Sequence, residues 1–335
     1  TTFAFQPWHS ALEFRRYLHR FIKSFPRIEK LSGVKHPVYN HYDSFVVPIA
    51  QWMEEKGVRF CRQATVTDLS LSDENGKVAV TAIKYRQYDE DHVVELSSDD
   101  LVFLQNGSMT DSSSFGSTTA PPERLPAGHN SGWSLWEKLA ADRPGFGNPA
   151  VFNSNVSETQ WYSFAVTLRD TAFFDRMEAF TGNPAGTGGI VTFRDSRWLM
   201  SAVLYHQPHF PSQPSDLQVF WGYALHPERV GDFVPKPMTE CSGREILREL
   251  AGHLKFDEKV LEQTDCVPCR MPYITSQFMP RAPGDRPDVV PAGTSNLAFI
   301  GQYCDIPDDV VYTVEYSVHS ARLAVQSLLD LPEEL

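Results

Sequence analysis

The sequence predicts a mixed α/β fold, with α+β character, on three observations. Apolar residues recur at helical spacing in two segments near the start and one near the end. Alternating and short apolar runs between them, bounded by turn residues, read as strands. Two of those strands end in glycine and lead into polar loops, as in layered α/β folds. The 335 residues are 41% hydrophobic and 21% charged, which is globular and long enough for a core without disulfides. A net charge of −12 with no basic block excludes nucleic acid as the expected partner. No apolar run reaches the roughly 18 residues of a membrane span. Five cysteines, Cys61, Cys241, Cys266, Cys269 and Cys304, are sparse and odd in number, which suits a reducing compartment. With no signal peptide recognised, the chain is expected to be cytoplasmic.

The first helix is expected after Trp8. Ser10 and Glu13 have capping-box spacing, and Ala11, Phe14, Leu18, Phe21 and Ile22 form its apolar stripe, with Tyr17 beside Phe14 and Phe21. A second helix is expected from Asp43, as cap, to Gly57, burying Phe45, Ile49, Trp52 and Met53 and holding Pro48 early. The period then changes. Thr65 to Leu69 alternates, Glu74-Asn75-Gly76-Lys77 is a hairpin turn, and Val78, Val80 and Ala82 continue the ladder. Leu101 to Leu104 reads as a short buried strand ending at Asn106-Gly107-Ser108. Residues 107–133, rich in Ser, Thr, Gly and Pro, read as a long loop. Helices opened by Ser134-x-x-Glu137 and Ser242-x-x-Glu245 then alternate with strands near 160–168, 188–193, 198–206 and 217–225. Leu297 to Ile300 is a last apolar strand, followed by Gly301, a Pro/Asp loop and a helix from Thr313 to Leu329.

Few patterns carry chemistry by themselves. Cys266-Val267-Pro268-Cys269 has no second pair at zinc spacing, so two unrelated thiols, one or both buried, are expected. Among eleven histidines the densest cluster, His206-Gln207-Pro208-His209, holds a proline that breaks zinc-helix geometry. His9, His41 and His209 read first as structural residues, and no metal is expected. Strand 101–104 with Asn106-Gly107-Ser108, and strand 297–300 with Gly301, are either ordinary strand-to-loop glycines or half of a nucleotide-binding site.

Longer stretches do resemble a known family. Phe5-Gln6-Pro7-Trp8-His9-Ser10-Ala11-Leu12-Glu13-Phe14-Arg15-Arg16-Tyr17 resembles a segment of the oleate hydratases, the myosin-cross-reactive antigen family. So do Val38-Tyr39-Asn40-His41-Tyr42-Asp43-Ser44, Asn106-Gly107-Ser108-Met109-Thr110-Asp111-Ser112-Ser113 and Thr239-Glu240-Cys241-Ser242-Gly243. Met271 to Met279 and Val311 to Val318 complete the series in family order. The resemblance implies an FAD/NAD(P)-binding flavoprotein fold of glutathione-reductase-like type, incomplete, with an inserted sheet-containing substrate domain. It divides the chain into a helical segment (1–57) at the substrate and cofactor interface, part of an FAD-binding domain (58–110), a mainly substrate-binding domain (111–294) and a return to the FAD-binding domain (295–335).

The activity it implies is addition of water to the cis double bond of oleate or a similar unsaturated fatty acid, giving the 10-hydroxy acid, with no net redox change at FAD. Tyr17 matches the family's proton-donating tyrosine. The carboxylate-anchoring positions fall on His41, Val203, Tyr205 and His209, where the family has Gln, Thr, Asn and, in many members, His. Losing an amide and a hydroxyl there removes hydrogen bonds worth roughly 1–3 kcal/mol each. The FAD positions fall on Asn106, Gly107, Ser108, Met109, Gly301, Thr313 and Val314, with Val66 near the adenine. The implied partner is an unsaturated fatty acid, and peripheral membrane contact and a homodimer are compatible with it. The family's N-terminal Gly-rich FAD segment, its water-positioning Glu and its C-terminal extension have no counterpart here. The chain is therefore expected to be the middle of a hydratase or a shortened relative. A non-catalytic fatty-acid-binding fragment and an FAD-dependent oxidoreductase are the alternatives.

Overall fold

The computed structural model describes residues 5–27, 37–74, 76–124, 131–187, 190–311 and 314–332. Helix α1 (Ala11–Phe21) opens at Ser10, whose Oγ accepts the Glu13 N–H at 3.4 Å. The other half of the expected capping box does not form, because the Glu13 carboxylate lies 2.7 Å from Arg281 instead. The buried face is correspondingly different from the expected one. Glu13 and Tyr17 are buried, whereas Phe14 and Ile22 of the apolar stripe are exposed. Tertiary ion pairs turn the helix, and no local periodicity encodes them.

A short wide turn, Tyr42–Val46, leads into α2 (Val47–Glu55). Asn40 rather than Asp43 opens the wide turn, and α2 itself has no side-chain cap: Asn40 Oδ1 accepts the Asp43 N–H at 3.1 Å, and its amide donates to the Asp43 carboxylate at 2.6 Å. Phe45, Ile49 and Trp52, expected to be buried, are exposed.

Strands β1 (Ala64–Glu74), β2 (Lys77–Gln87) and β3 (Glu90–Glu95) form an antiparallel meander, with Gly76 at φ 74° in the first turn. Strand β4 (Val102–Gln105) follows. The expected loop contains a two-residue strand, β5 (Ser114–Phe115), and gives way to α3 (Ser131–Ala140), so Ser134 lies inside that helix rather than capping it. Two single turns, α4 (Ala150–Asn153) and α5 (Val156–Thr159), precede β6 (Trp161–Leu168) and α6 (Ala172–Thr181). Next come β7 (Ile190–Thr192), β8 (Met200–Leu204) and β9 (Gln218–Ala224). The predicted capping box at Ser242 and Glu245 opens α7 (Gly243–Leu254). Strand β10 (Asp265–Met271), unforeseen because Pro268 interrupts it, precedes β11 (Leu297–Ile300) and α8 (Val314–Leu328).

The larger sheet is antiparallel, in the order β5-β10-β6-β9-β8-β7. One face packs on α6 and α7: Tyr162, Phe164, Val166 and Phe220 meet Phe173, Met177, Ile246 and Leu250. β4 and β11 form a separate parallel pair, covered by Leu135 and Leu139 of α3 and by Tyr316 and Ala324 of α8. Asn296 ties this pair to the meander: its side chain accepts the Val80 N–H at 2.8 Å and donates to the Val80 carbonyl at 2.9 Å. A third cluster is aromatic, built from Trp133, Trp136, Phe152, Tyr273 and Tyr303. Among the described residues no helix is long and apolar enough to cross a membrane.

Candidate functional site

The two glycine-ended strands identified in the sequence are neighbours. Ile300 pairs with Gln105 in the parallel ladder, so Asn106 and Gly301 leave the sheet side by side at its carboxyl edge. Gly107 (φ 64°) and Gly301 (φ 93°) adopt left-handed backbone that favours glycine. A Cβ on Gly107 would lie 2.9 Å from the Tyr303 ring and 3.1 Å from Trp133. The Trp133 indole donates to the Ser108 carbonyl at 3.1 Å, and the Tyr303 hydroxyl is bonded to Ser276. These aromatics hold the Asn106 to Met109 turn from behind. Asn106 is 1% exposed, yet its amide nitrogen and oxygen find no partner among the described residues. Met109 packs on the aromatic cluster. Val66 lies in the meander, a different sheet, packed on the core beneath it. Val314 begins α8 and is exposed, and Thr313 lies outside the described residues.

The other face of the large sheet is partly exposed: Ala165 and Val267 are exposed, whereas Ser163, Ser201 and Tyr223 on the same face are buried. Val203 pairs with Trp221, Trp221 with Ala165, and Ala165 with Val267, so one residue from each of four adjacent strands forms a row. Strand alternation puts that row opposite the core-facing Ala202, Phe220, Phe164 and Cys266. A groove of about 610 Å³ lies over this face, walled by Trp161, Trp221, Val267, Met271 and the Thr110 to Ser113 loop. Its floor therefore reaches the loop that follows Asn106 to Met109. The groove residues on β10 were not foreseen, and alternation with tryptophans at Trp161 and Trp221 is the signal that marks the face on β6 and β9. Cys269 lies on this face and Cys266 on the core side, and both are free thiols rather than a pair.

At the β8 end of the row, Tyr205 stacks on His209 with ring centroids 4.0 Å apart and planes 7° from parallel. The His209 carbonyl accepts the Asn40 N–H at 3.0 Å, which brings the neighbouring, exposed His41 to the same place. Burial, with the nearby His41 charge, lowers the His209 pKa against an opposing pull from Asp43. Burial pushes the Tyr205 phenol up to about 12, so it stays protonated at neutral pH. The fold thus brings His41 to Tyr205 and His209, which with Val203 lie within seven residues of one another in the sequence.

Tyr17 stands elsewhere. It is buried, 4.5 Å from the Phe21 ring and 5.8 Å from Phe5, which stacks on Phe278. It is not one of the groove's walls. Beneath it Glu13 meets Arg281, Arg16 at 3.3 Å and Arg286 at 3.8 Å, a cluster the sequence did not disclose. His9, next to Phe5 and Phe278, is also buried, and its Nδ1 accepts the Gln6 N–H at 3.0 Å. One further acidic group, Asp232, Glu249 and His253, has its ligand atoms within 4.8 Å of one another. Glu249 is saturated by the N–H groups of Asp232, Phe233 and Val234, which makes it a loop clamp.

The sequence profile of the MCRA family matches residues 1–326. The chain belongs to the MCRA family. Within it, the chain is 40% identical, over 98% of its length, to an oleate hydratase of Streptococcus pyogenes serotype M49 (strain NZ131). It is 34% identical, over 99% of its length, to a linoleate hydratase of Lactiplantibacillus plantarum. The aligned region covers 58% of the first relative and 62% of the second, so this MCRA chain spans about three-fifths of their length.

Proposed function

We propose that this chain is the central part of a fatty acid hydratase, which adds water to the cis double bond of oleate or a similar acid. The observation that carries the reading is the partly exposed sheet face. Its apolar row runs from the Tyr205/His209 stack to the groove beside the Asn106 to Met109 turn. Three inter-strand spacings make that row about 14 Å long. This is of the order of the carboxyl-to-alkene stretch of a long-chain fatty acid. The polar end would receive the head group: the Tyr205 hydroxyl, His209 and His41 can donate to a carboxylate in place of an amide and a hydroxyl. Val203 can contribute only apolar contact. The hydratase names of the two relatives support the same substrate class.

The residues present also fit FAD. Asn106, buried with neither end of its amide satisfied among the described residues, stands at two adjacent parallel strand ends, each followed by a left-handed glycine. This is the arrangement expected of part of a glutathione-reductase-like flavoprotein fold. When bound, FAD would supply a planar polar wall and undergo no net redox change. Asn106, Gly107, Ser108, Met109 and Gly301 would hold it, with Val66, Thr313 and Val314 as outer positions. The family resemblance gives the proton transfer to Tyr17: its phenolic proton would go to one alkene carbon while water oxygen bonds to the other, which requires the alkene to extend past the groove to the buried Tyr17 ring. The proton released from that water restores the phenol, so the elements of one water are added. The test is incubation of the full-length protein with oleate and FAD, with products read by mass spectrometry. Formation of 10-hydroxystearate is expected. A folded, flavin-loaded protein that yields no hydroxy acid from oleate or linoleate would overturn the reading.

A further inference from the structure

We infer that Glu13 is a positioning residue for Tyr17, fixing the rotation of α1 through its buried ion pair with Arg281. The inference rests on the proposed role of Tyr17 and adds a residue to which no role was assigned. Glu13 and Tyr17 are four positions apart and so lie one above the other on the same helix face. They are the buried residues of α1. The apolar side chains that would ordinarily seat a helix, Leu12, Phe14 and Ile22, face outward. Besides the packing of Tyr17 on Phe5, the helix is held to the body by polar contacts. The Ser10 N–H donates to the Phe278 carbonyl at 2.8 Å, and Glu13 Oε1 takes Arg281 at 2.7 Å and Arg16 at 3.3 Å.

The geometry makes this more than a surface tether. Glu13 is fully buried, and the Arg281 side chain is 7% exposed. A pair removed from water is costly to break, so it admits few alternative arrangements. Arg281 also approaches Asp305 at 3.5 Å, and Arg16 approaches it at 4.0 Å. Asp305 lies in the loop after Gly301, and its N–H donates to the Pro287 carbonyl at 2.8 Å. One ionic network therefore joins the helix carrying Tyr17 to the loop that leaves the β11 strand end. Nonpolar packing could tolerate a small roll of α1. A carboxylate held by Arg281 and Arg16, with Arg286 behind it, tolerates much less, and a roll would swing the phenol sideways.

The test is made in the full-length, FAD-loaded protein. Glu13→Gln keeps the shape and removes the charge. It is expected to lower kcat for oleate by about 10- to 100-fold, with KM and flavin affinity within about twofold of the parent. In a Tyr17→Phe background the same substitution should cost little more, because both changes remove one function. Arg281→Lys, which keeps the charge but loses the planar reach, should show a smaller loss with the same kcat signature. If Glu13→Gln does not fold, Arg281→Lys is judged alone by that signature. An unchanged kcat, a change confined to KM, or a loss that simply multiplies onto that of Tyr17→Phe would overturn the inference while the role of Tyr17 stood. Full activity of Tyr17→Phe would remove both.

Discussion

Val203 and Trp221 are direct partners across β8 and β9, and both project from the sheet face opposite the one packed on α6 and α7. Their pairing turns a position with an apolar side chain near the polar cluster into the first plank of a continuous floor. Ala165 and Val267 extend that floor across two more strands, and Trp161 and Met271 wall it, with the Trp161 indole 3.2 Å from the Met271 sulfur.

Filling the floor should block the acyl chain without harming the core. Ala165 is exposed and its side chain points away from Phe164 and Val166. Ala165→Phe is therefore expected to raise KM for oleate by about tenfold or more, and to hurt longer acids more than shorter ones. Steady-state kinetics over a chain-length series would check this, with thermal melting unchanged. An unaltered KM would place the acyl chain elsewhere.

Asn106 should reveal a trade between stability and cofactor. Its buried amide has no partner among the described residues, a situation that costs about 1–3 kcal/mol. Asn106→Leu should leave the cofactor-free protein as stable as the parent or more so. The same change should weaken FAD binding by about tenfold, a loss of about 1.4 kcal/mol. Melting curves with and without FAD give both numbers, and a fall in cofactor-free stability would count against the assignment.

Tyr17→Phe removes only the phenolic oxygen from a buried ring packed on Phe21 and Phe5. Turnover should fall by roughly 100- to 10,000-fold, the range for loss of a proton donor. Flavin absorbance and melting temperature should hold. Single-turnover measurement of product separates this from a binding defect.

His9 predicts a pH dependence of stability. Burial lowers its pKa from 6.5 to about 4, against a smaller upward pull from the Glu158 backbone. The folded chain thus resists protonating a group that the unfolded chain protonates at 6.5. The contribution is fully present above pH 6.5 and is lost as pH falls toward 4, up to about 3 kcal/mol. Melting the parent and His9→Phe from pH 7.5 to 4.5 should show a steeper decline in the parent. Parallel curves would show that another group dominates.

The sequence by itself determined the local elements whose signals are short-ranged. The Gly76 hairpin, the Ser242/Glu245 capping box, the strands near Trp161, Met200, Gln218 and Leu297 and the glycine-ended strand at Asn106 all rest on neighbours within a few residues. Its long motifs also carried the family, which the profile match confirms. The tertiary structure alone decided which faces are buried. Periodicity assigned the inner side of α1 to Phe14 and Ile22, but Arg281 and Arg286, more than 250 positions away, pull in Glu13 and with it Tyr17. It also decided that Asn106 stands beside Gly301, and that Val203, Trp221, Ala165 and Val267 form one row. Strand order and register are set by contacts between distant segments, and a local pattern of side chains does not specify which strand becomes a neighbour.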